Sequence, residues 1–381
     1  MKNLETLIQE LCPNGVEFVK LGDCCTFKRG MTITAKNAIP GDVPVLAGGQ
    51  KPAYYHNVAN RTGETIVVAG SGAYAGFVSY WTVPVFLSDS FSVEPDDRLV
   101  VKFVYYFLKN IQQKIFATKK GSGVPHVHGS SIEKFEIPLP PIKVQTEIVR
   151  ILDKFTSLEA ELEAELDCRK RQYEYYRDKL LSFDNVGGQE VTISKIGDIG
   201  RICMCKRIMK NQTNSESGIP FYKIGTFGKV ADAYISNDVY EEYKKLYSYP
   251  KKGDILMSAS GTIGRTVVFN GKPSYFQDSN IVWVDNDETK VFNSYLNYYY
   301  QIIEWKTQGG TIKRLYNNLL AGATIKYPSL EEQHRIVSIL DRFESLTTSL
   351  QSGLPAEIAA RRQQYEHYRD KLLTFKRKGA A

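Results

Sequence analysis

Residues 171 to 183 read RQYEYYRDKLLSF, and residues 363 to 375 read QQYEHYRDKLLTF. Upstream of each lies a second shared stretch, QTEIVRILDKFTSL from Gln145 to Leu158 and QHRIVSILDRFESL from Gln333 to Leu346, identical at 9 of 14 positions. The offset is 188 residues at that stretch and 192 at the tyrosine-rich phrase, so the later copy carries four more residues between the two. Shorter echoes extend the duplication: Leu21-Gly22-Asp23 with Ile196-Gly197-Asp198, Val43-Pro44 with Ile219-Pro220, Ser71-Gly72 with Ser260-Gly261, and Asp89-Ser90 with Asp278-Ser279. A chain of 381 residues is long for one core, since domains usually hold roughly 100 to 200 residues. The duplication predicts how it divides: a globular part followed by a long helix, written twice, with bounds at 1–142, 143–183, 184–330 and 331–378.

Each helical part carries an apolar seam. Val144, Ile148, Ile151, Phe155, Leu158 and Leu162 are spaced 4, 3, 4, 3, 4, the rhythm of a coiled coil. The seam resumes eleven residues on at Tyr173, then Tyr176, Leu180 and Phe183; that gap is a heptad plus a stutter, which unwinds a coiled coil locally without breaking it. Between them runs the tetrad repeat LEAELEAEL, from Leu158 to Leu166. In the second copy Ile336, Ile339, Phe343, Leu346 and Leu350 open the seam, and Tyr365, Tyr368, Leu372 and Phe375 close it. Its extra four residues add about one helical turn and keep the facing side. Pro355, after Ser352-Gly353-Leu354, predicts a break near 353–355, because an interior proline costs about 3 kcal/mol. A narrow apolar stripe must be covered, and two like stripes in one chain predict an antiparallel pair. From 143 to 183 such a helix would span about 60 Å at roughly 1.5 Å per residue. A second reading stays open, in which each helix packs only on its own domain.

The globular parts have another texture. Thr65-Ile-Val-Val68, Phe77-Val-Ser-Tyr80, Val83-Pro-Val-Phe-Leu87, Asp254-Ile-Leu-Met257 and Thr266-Val-Val-Phe269 lie between Gly, Ser, Asn and Pro clusters and predict strands. Lys102 to Phe116 and Asn293 to Lys306 predict aromatic-rich helices. The fold class expected is α+β: two mixed domains with mainly antiparallel sheet, separated by two long helices in an antiparallel coiled coil, with the pseudo-twofold symmetry of a tandem repeat.

Of the formal net charge of +7, the globular parts hold +6. The surplus is modest, but its basic residues recur in loops with glycines and hydroxyls. Lys and Arg neutralise phosphates, and Arg, Lys, Gln and Asn read base edges. The candidate DNA contacts are Lys28, Arg29, Lys51, Lys119 and Lys120 in the first globular part, and Lys206, Arg207, Arg265, Lys313 and Arg314 in the second.

Signatures of catalysis are missing from the sequence. Gly70-Ser-Gly-Ala-Tyr-Ala-Gly76 has one residue too many for a dinucleotide loop and runs into a strand rather than a helix, so it predicts a tight hairpin. There is no GxxxxGK[ST], and no Asn-Pro-Pro-aromatic or Asp-Pro-Pro-Tyr run of the kind that amino-methyltransferases use. Six cysteines in no zinc spacing predict reduced, mostly buried thiols. Pro125-His126-Val127-His128 places two histidines at i, i+2 with no third ligand signalled, so no metal is expected there. No apolar run reaches the roughly 18 to 20 residues of a membrane span, and the expected location is the cytoplasm.

Two variable domains, each followed by a helix with an IVxILDxF stretch and a QYExYRDKLL(S/T)F phrase, together with PHVHGSSIEKFEIPLPP at 125–141, resemble the specificity subunit of type I restriction-modification enzymes over essentially the whole chain. The resemblance implies that each globular part is a target-recognition domain reading one half of a bipartite sequence in double-stranded DNA. It implies that the helices set the distance between the halves and dock two methyltransferase subunits, and that restriction/translocase subunits complete the enzyme. Tyr173, Tyr176, Arg177, Tyr365, Tyr368 and Arg369 are the candidate partner-binding residues, although the tyrosines equally suit an intramolecular seam. No cofactor is expected in this chain, and S-adenosylmethionine is expected in the partner methyltransferase. Two departures, His367 where the first copy has Tyr175 and a Gly-Leu-Pro in the second helix only, leave the docking sites similar but not identical. The rival readings are a stand-alone DNA methyltransferase or nuclease, and a scaffold that never touches DNA.

Overall fold

The computed structural model describes residues 2–183, 190–310, 313–349 and 352–379. The chain forms two compact units, Met1–Glu163 with Glu357–Ala381, and Ala164–Ala356.

In the first unit the elements run α1 (Lys2–Leu11), β1 (Glu17–Lys20), β2 (Cys25–Arg29), β3 (Val43–Leu46), β4 (Tyr54–His56), β5 (Thr65–Ala69), β6 (Val78–Trp81), β7 (Phe86–Leu87), β8 (Ser90–Pro95), α2 (Val101–Asn110), α3 (Gln112–Phe116), α4 (Gly129–Ile132), β9 (Glu136–Leu139) and α5 (Ile142–Ser182), whose residues through Glu163 belong here. An antiparallel sheet in the order β2-β8-β5-β6 stands beside a smaller one, β4-β3-β7, and the pair β1-β9. Because successive strand side chains point to opposite faces, β5 serves two cores. Ile66 and Val68 join Phe103, Val104 and Leu108 of α2 in the main core, while Val67 packs with Leu46, Val85 and Leu87. The expected hairpin at Gly70–Gly76 is the turn between β5 and β6.

The second unit repeats this plan with β10 (Thr192–Lys195), β11 (Gly200–Met204), β12 (Thr213–Asn214), β13 (Ile219–Tyr222), β14 (Tyr234–Ile235), α6 (Asn237–Leu246), β15 (Ile255–Ser258), β16 (Thr266–Val268), β17 (Tyr275–Phe276), β18 (Ile281–Asn286), α7 (Asn293–Tyr299), α8 (Asn317–Gly322), β19 (Thr324–Tyr327) and α9 (Leu330–Thr348); α10 (Gly353–Leu372) starts here and continues in the first unit. Its sheets are β11-β18-β15-β16, β12-β14-β13-β17 and β10-β19, and β13 pairs β17 in parallel as β3 pairs β7. β15 divides its faces as β5 does, with Ile255 and Met257 in one core and Leu256 in another. The helix expected over 293–306 stops at Tyr299: Tyr300 and Trp305 turn in edge to face, and Trp305 Nε1 lies where only a glycine leaves room, 2.5 Å from the position a Cβ on Gly264 would take. Likewise the helix expected over 102–116 is interrupted at Ile111.

One residue welds each long helix to its globular part. Gln145 is fully buried; its Oε1 accepts from Val100 N at 2.8 Å, and its Nε2 donates to Arg98 O and Pro140 O at 2.9 and 2.8 Å. Gln333 does the same with Phe292 N, Lys290 O and Pro328 O, each at 2.9 Å. A buried amide with every bond made stabilises modestly, but removing it strands three backbone groups. Gln145→Ala is therefore expected to lower stability by about 2 to 4 kcal/mol, read as a shift of the denaturant midpoint; an unmoved midpoint would contradict this role.

The helices pack antiparallel within each unit. In the first, Phe155 of α5 stacks on Tyr368 of α10 at 5.3 Å, and Arg362 pairs with Glu159 and Glu163, so the numbers rise on one helix as they fall on the other. In the second, Tyr176 stacks on Phe343 of α9 at 5.8 Å, and Leu181 lies in the core with Ile336 and Leu340. α9 ends at Thr348 and α10 begins at Gly353, whose φ of +78° suits glycine and where a Cβ would fall 2.7 Å from Leu346 O. Pro355 sits in the first turn of α10, where its missing N–H costs nothing. Leu350 lies outside the described residues.

Candidate nucleic-acid interface

The ten candidate contacts divide between free and engaged side chains. In the first unit Lys28, on β2, forms an ion pair with Glu94, and Arg29 at the strand's end is 75% exposed with its guanidinium 3.8 Å from Asp89. The carbonyls of both residues accept from Nη2 of Arg61, at 3.1 and 3.3 Å, while Arg61 Nε donates to Ser92 at 2.8 Å. Arg61, which sequence reasoning missed, thus fixes the backbone that presents Lys28 and Arg29; a lone arginine in a loop sends no signal of this. Lys51 is exposed between β3 and β4. Lys119 donates to Ala73 O at 3.1 Å and lies over the Phe116 ring, whereas Lys120 is exposed on a ribbon whose backbone pairs with His126.

In the second unit Lys206 lies over the Tyr247 ring at 4.9 Å, and Arg207, 73% exposed, approaches Asp278 to 4.0 Å. Arg265 turns inward: its Nη2 donates to Ile224 O at 3.2 Å, its guanidinium lies 5.6 Å from the centre of the Phe227 ring, and its Nε is buried without a partner. Lys313 is exposed, next to residues 311–312, which lie outside the description. Arg314 Nη2 donates to Ser279 Oγ and Asn280 Oδ1 at 3.2 and 2.8 Å. The structure therefore brings Arg29 to Asp89, and both Arg207 and Arg314 to the matching Asp278-Ser279 step.

The tyrosine phrases are held by their own units. Tyr173 and Arg177 both donate to Gln301 Oε1, at 3.1 and 3.3 Å, and Arg177 stacks over Tyr173 with its side chain 16% exposed. In the other unit Arg369, 19% exposed, donates to Asn110 Oδ1 at 3.0 Å and stacks over Tyr365. Burial pushes the Tyr173 hydroxyl above its ordinary pKa, and it pushes Tyr365 up to about 12. Tyr176 is 38% exposed, and the open face of the first phrase is led by Tyr175, 61% exposed; in the second, His367 is exposed.

The cysteines are free thiols, buried except Cys168, and burial pushes the Cys205 thiol up to about 12. Among the described residues no three His, Cys, Asp or Glu side chains come together in a metal-holding group, and no helix is long and apolar enough to cross a membrane.

The frame is built twice with different loops, and comparison with known proteins identifies the family. The model for the type I restriction modification DNA specificity domain matches residues 13–167 and again 188–360. The chain belongs to the type I restriction-modification DNA specificity family. It is 44% identical to a Haemophilus influenzae protein named as a type I restriction enzyme specificity subunit, covering 98% of this chain and all of that one. It is 32% identical to the specificity subunit of a type I restriction enzyme of Escherichia coli, over 74% of this chain and 72% of the other. The fold matches the S subunit of a type I system from M. genitalium with a TM-score of 0.58 at 17% identity, covering 94% of this chain and 96% of that one. The chain is thus a DNA sequence-recognition component of a type I restriction-modification system, and its role in such a system is non-catalytic.

Proposed function

We propose that residues 1–142 and 184–330 are target-recognition domains, each reading one half of a bipartite site in double-stranded DNA, and that the helical parts 143–183 and 331–378 set the spacer between the halves. Basic side chains of the loops and of β2 supply the contacts: Lys28, Arg29, Lys51, Lys119 and Lys120 for one half, and Lys206, Arg207, Lys313 and Arg314 for the other, while Arg265, turned inward onto Ile224 O, shapes the second surface from beneath. Two methyltransferase subunits dock on the tyrosine phrases, where Tyr173, Tyr176, Arg177, Tyr365, Tyr368 and Arg369 hold and border the surface presented. Restriction/translocase subunits join that assembly, which works in the cytoplasm. S-adenosylmethionine belongs to the methyltransferase, and this chain binds no cofactor of its own.

The observation that carries the reading is the repetition itself, in which one sheet plan, one glutamine clamp and one tyrosine phrase occur twice. Paired half-sites read by a protein with internal twofold character follow the logic of dimeric DNA-binding proteins, in which protein spacing fixes half-site spacing. Purified chain mixed with S-adenosylmethionine and DNA is expected to transfer no methyl group until the methyltransferase subunit is added, and light scattering is expected to find two such subunits per chain. Methyl transfer by the chain alone would favour the stand-alone enzyme.

A further inference from the structure

Carrying the 188-residue offset of Gln145 and Gln333 upstream sets His126 against Arg314 and His128 against Tyr316. The fold obeys the same match. His126 forms isolated bridges with Ser71 and Lys120, and Arg314 forms them with Ser260 and Gln308. His126 N donates to Lys120 O at 2.8 Å and Lys120 N to His126 O at 2.9 Å; Arg314 N donates to Gln308 O at 2.8 Å and Gln308 N to Arg314 O at 3.0 Å. In each unit this ribbon walls a cleft against the start of the long strand β8 or the loop entering β18. The first cleft is lined by Arg29, Asp89, His126, His128 and Glu133, over Phe27, and the second by Ser279, Arg314, Tyr316, Asn317 and Asn318, beside Met204. An arginine leans on the aspartate at both places, Arg29 on Asp89 and Arg207 on Asp278.

The frame is therefore constant while its rim changes chemistry. In the first cleft the His126 and His128 rings stack with centroids 6.4 Å apart, next to two carboxylates, of which Asp89 already accepts from Ser71. In the second a guanidinium pinned by Ser279 and Asn280 stands beside two exposed asparagines and an exposed tyrosine. Fixed backbone with exchangeable donors and acceptors is the arrangement that discriminates base edges, since phosphate contacts carry no sequence information.

We propose that this cleft is the base-edge reading site of each domain, with His128 and Glu133 as specificity-determining residues in the first and Arg314 and Asn318 in the second. The second cleft, offering a guanidinium and amides, takes the major-groove edge of a purine. The first, with its carboxylate acceptor, takes an exocyclic amino group of cytosine or adenine. The inference rests on the reading of the chain as the DNA-recognition subunit.

The test is a genome-wide methylation map from cells that carry the methyltransferase subunit and one variant at a time. His128→Ala and Asn318→Ala alter exposed rim positions, and Arg314→Lys keeps the charge. Asn318→Ala and Arg314→Lys are each expected to lose on the order of ten- to a hundredfold discrimination at one base pair of one half-site, leaving the other half-site intact. His128→Ala is expected to do so only in the opposite half. Full discrimination in both halves for all three variants would overturn the assignment while leaving the recognition role standing, and so would a uniform fall in methylation with unchanged preference. An unmodified chain that directs methylation to no bipartite sequence would overturn both.

Discussion

Insertion of one Leu-Glu-Ala-Glu tetrad after Glu165 is expected to lengthen the spacer of the methylated site by one or two base pairs and to leave both half-sites unchanged. Four residues add about 6 Å of helix at roughly 1.5 Å each, and about 400° of rotation, which misses a full turn by only some 40°. The apolar face is thus nearly kept, and the LEAELEAEL stretch simply gains a unit. The insertion follows the Arg362 ion pairs to Glu159 and Glu163, so the packing of α5 on α10 in the first unit is preserved. DNA rises about 3.4 Å per base pair, which sets two base pairs as the ceiling, and twisting or bending of the duplex absorbs part of that length. Methylation mapping reads the outcome. An unchanged spacer with retained activity would show that the helices are not the ruler.

Alanine at Lys28, Arg29, Lys51, Lys119 and Lys120 together is expected to weaken DNA binding of the assembled complex by orders of magnitude at moderate salt. Each phosphate contact releases condensed counterions, so losing one lowers the slope of log affinity against log salt by roughly 0.9. Lys51 and Lys120 are exposed and Arg29 is mostly so, whereas Lys28 and Lys119 are partly spent on Glu94 and Ala73 O. The change in slope is therefore expected to fall below the five-contact maximum. Titrations at several salt concentrations measure it; intact affinity with an unaltered slope would place the DNA on another surface.

The division into repeats was legible because identity over long stretches survives without any tertiary knowledge. Four predicted strands became β5, β6, β15 and β16, since short apolar runs between turn residues need only local rules, whereas of the strand expected over Val83–Leu87 only Phe86–Leu87 forms β7. The helix ends were less legible. Nothing local stops a helix at Tyr299, and the stop follows from Trp305 seating against Gly264, a contact across 41 residues. That the first tyrosine phrase packs with the second globular part was equally hidden, because Gln301 meets Tyr173 only in three dimensions. At the candidate site, charge picks out basic segments but says nothing of side-chain direction. Arg29 and Arg265 are equal candidates by charge, yet Arg29 is 75% exposed and Arg265 is drawn in by Ile224 O and Phe227. His126 and His128 are visible in the sequence as a pair, and the 188-residue offset sets them against Arg314 and Tyr316, but that the two pairs wall equivalent clefts emerges only from the backbone bridges.

The measurement that bears most directly on the central claim is a genome-wide methylation map in cells supplying this chain with its methyltransferase subunit, compared with the same cells carrying a chain in which residues 184–330 are exchanged for those of a relative. One bipartite sequence with a fixed spacer is predicted for the unaltered chain, and the exchange should replace one half while the other half remains. Methylation at an undivided sequence, or both halves changing together, would contradict the account.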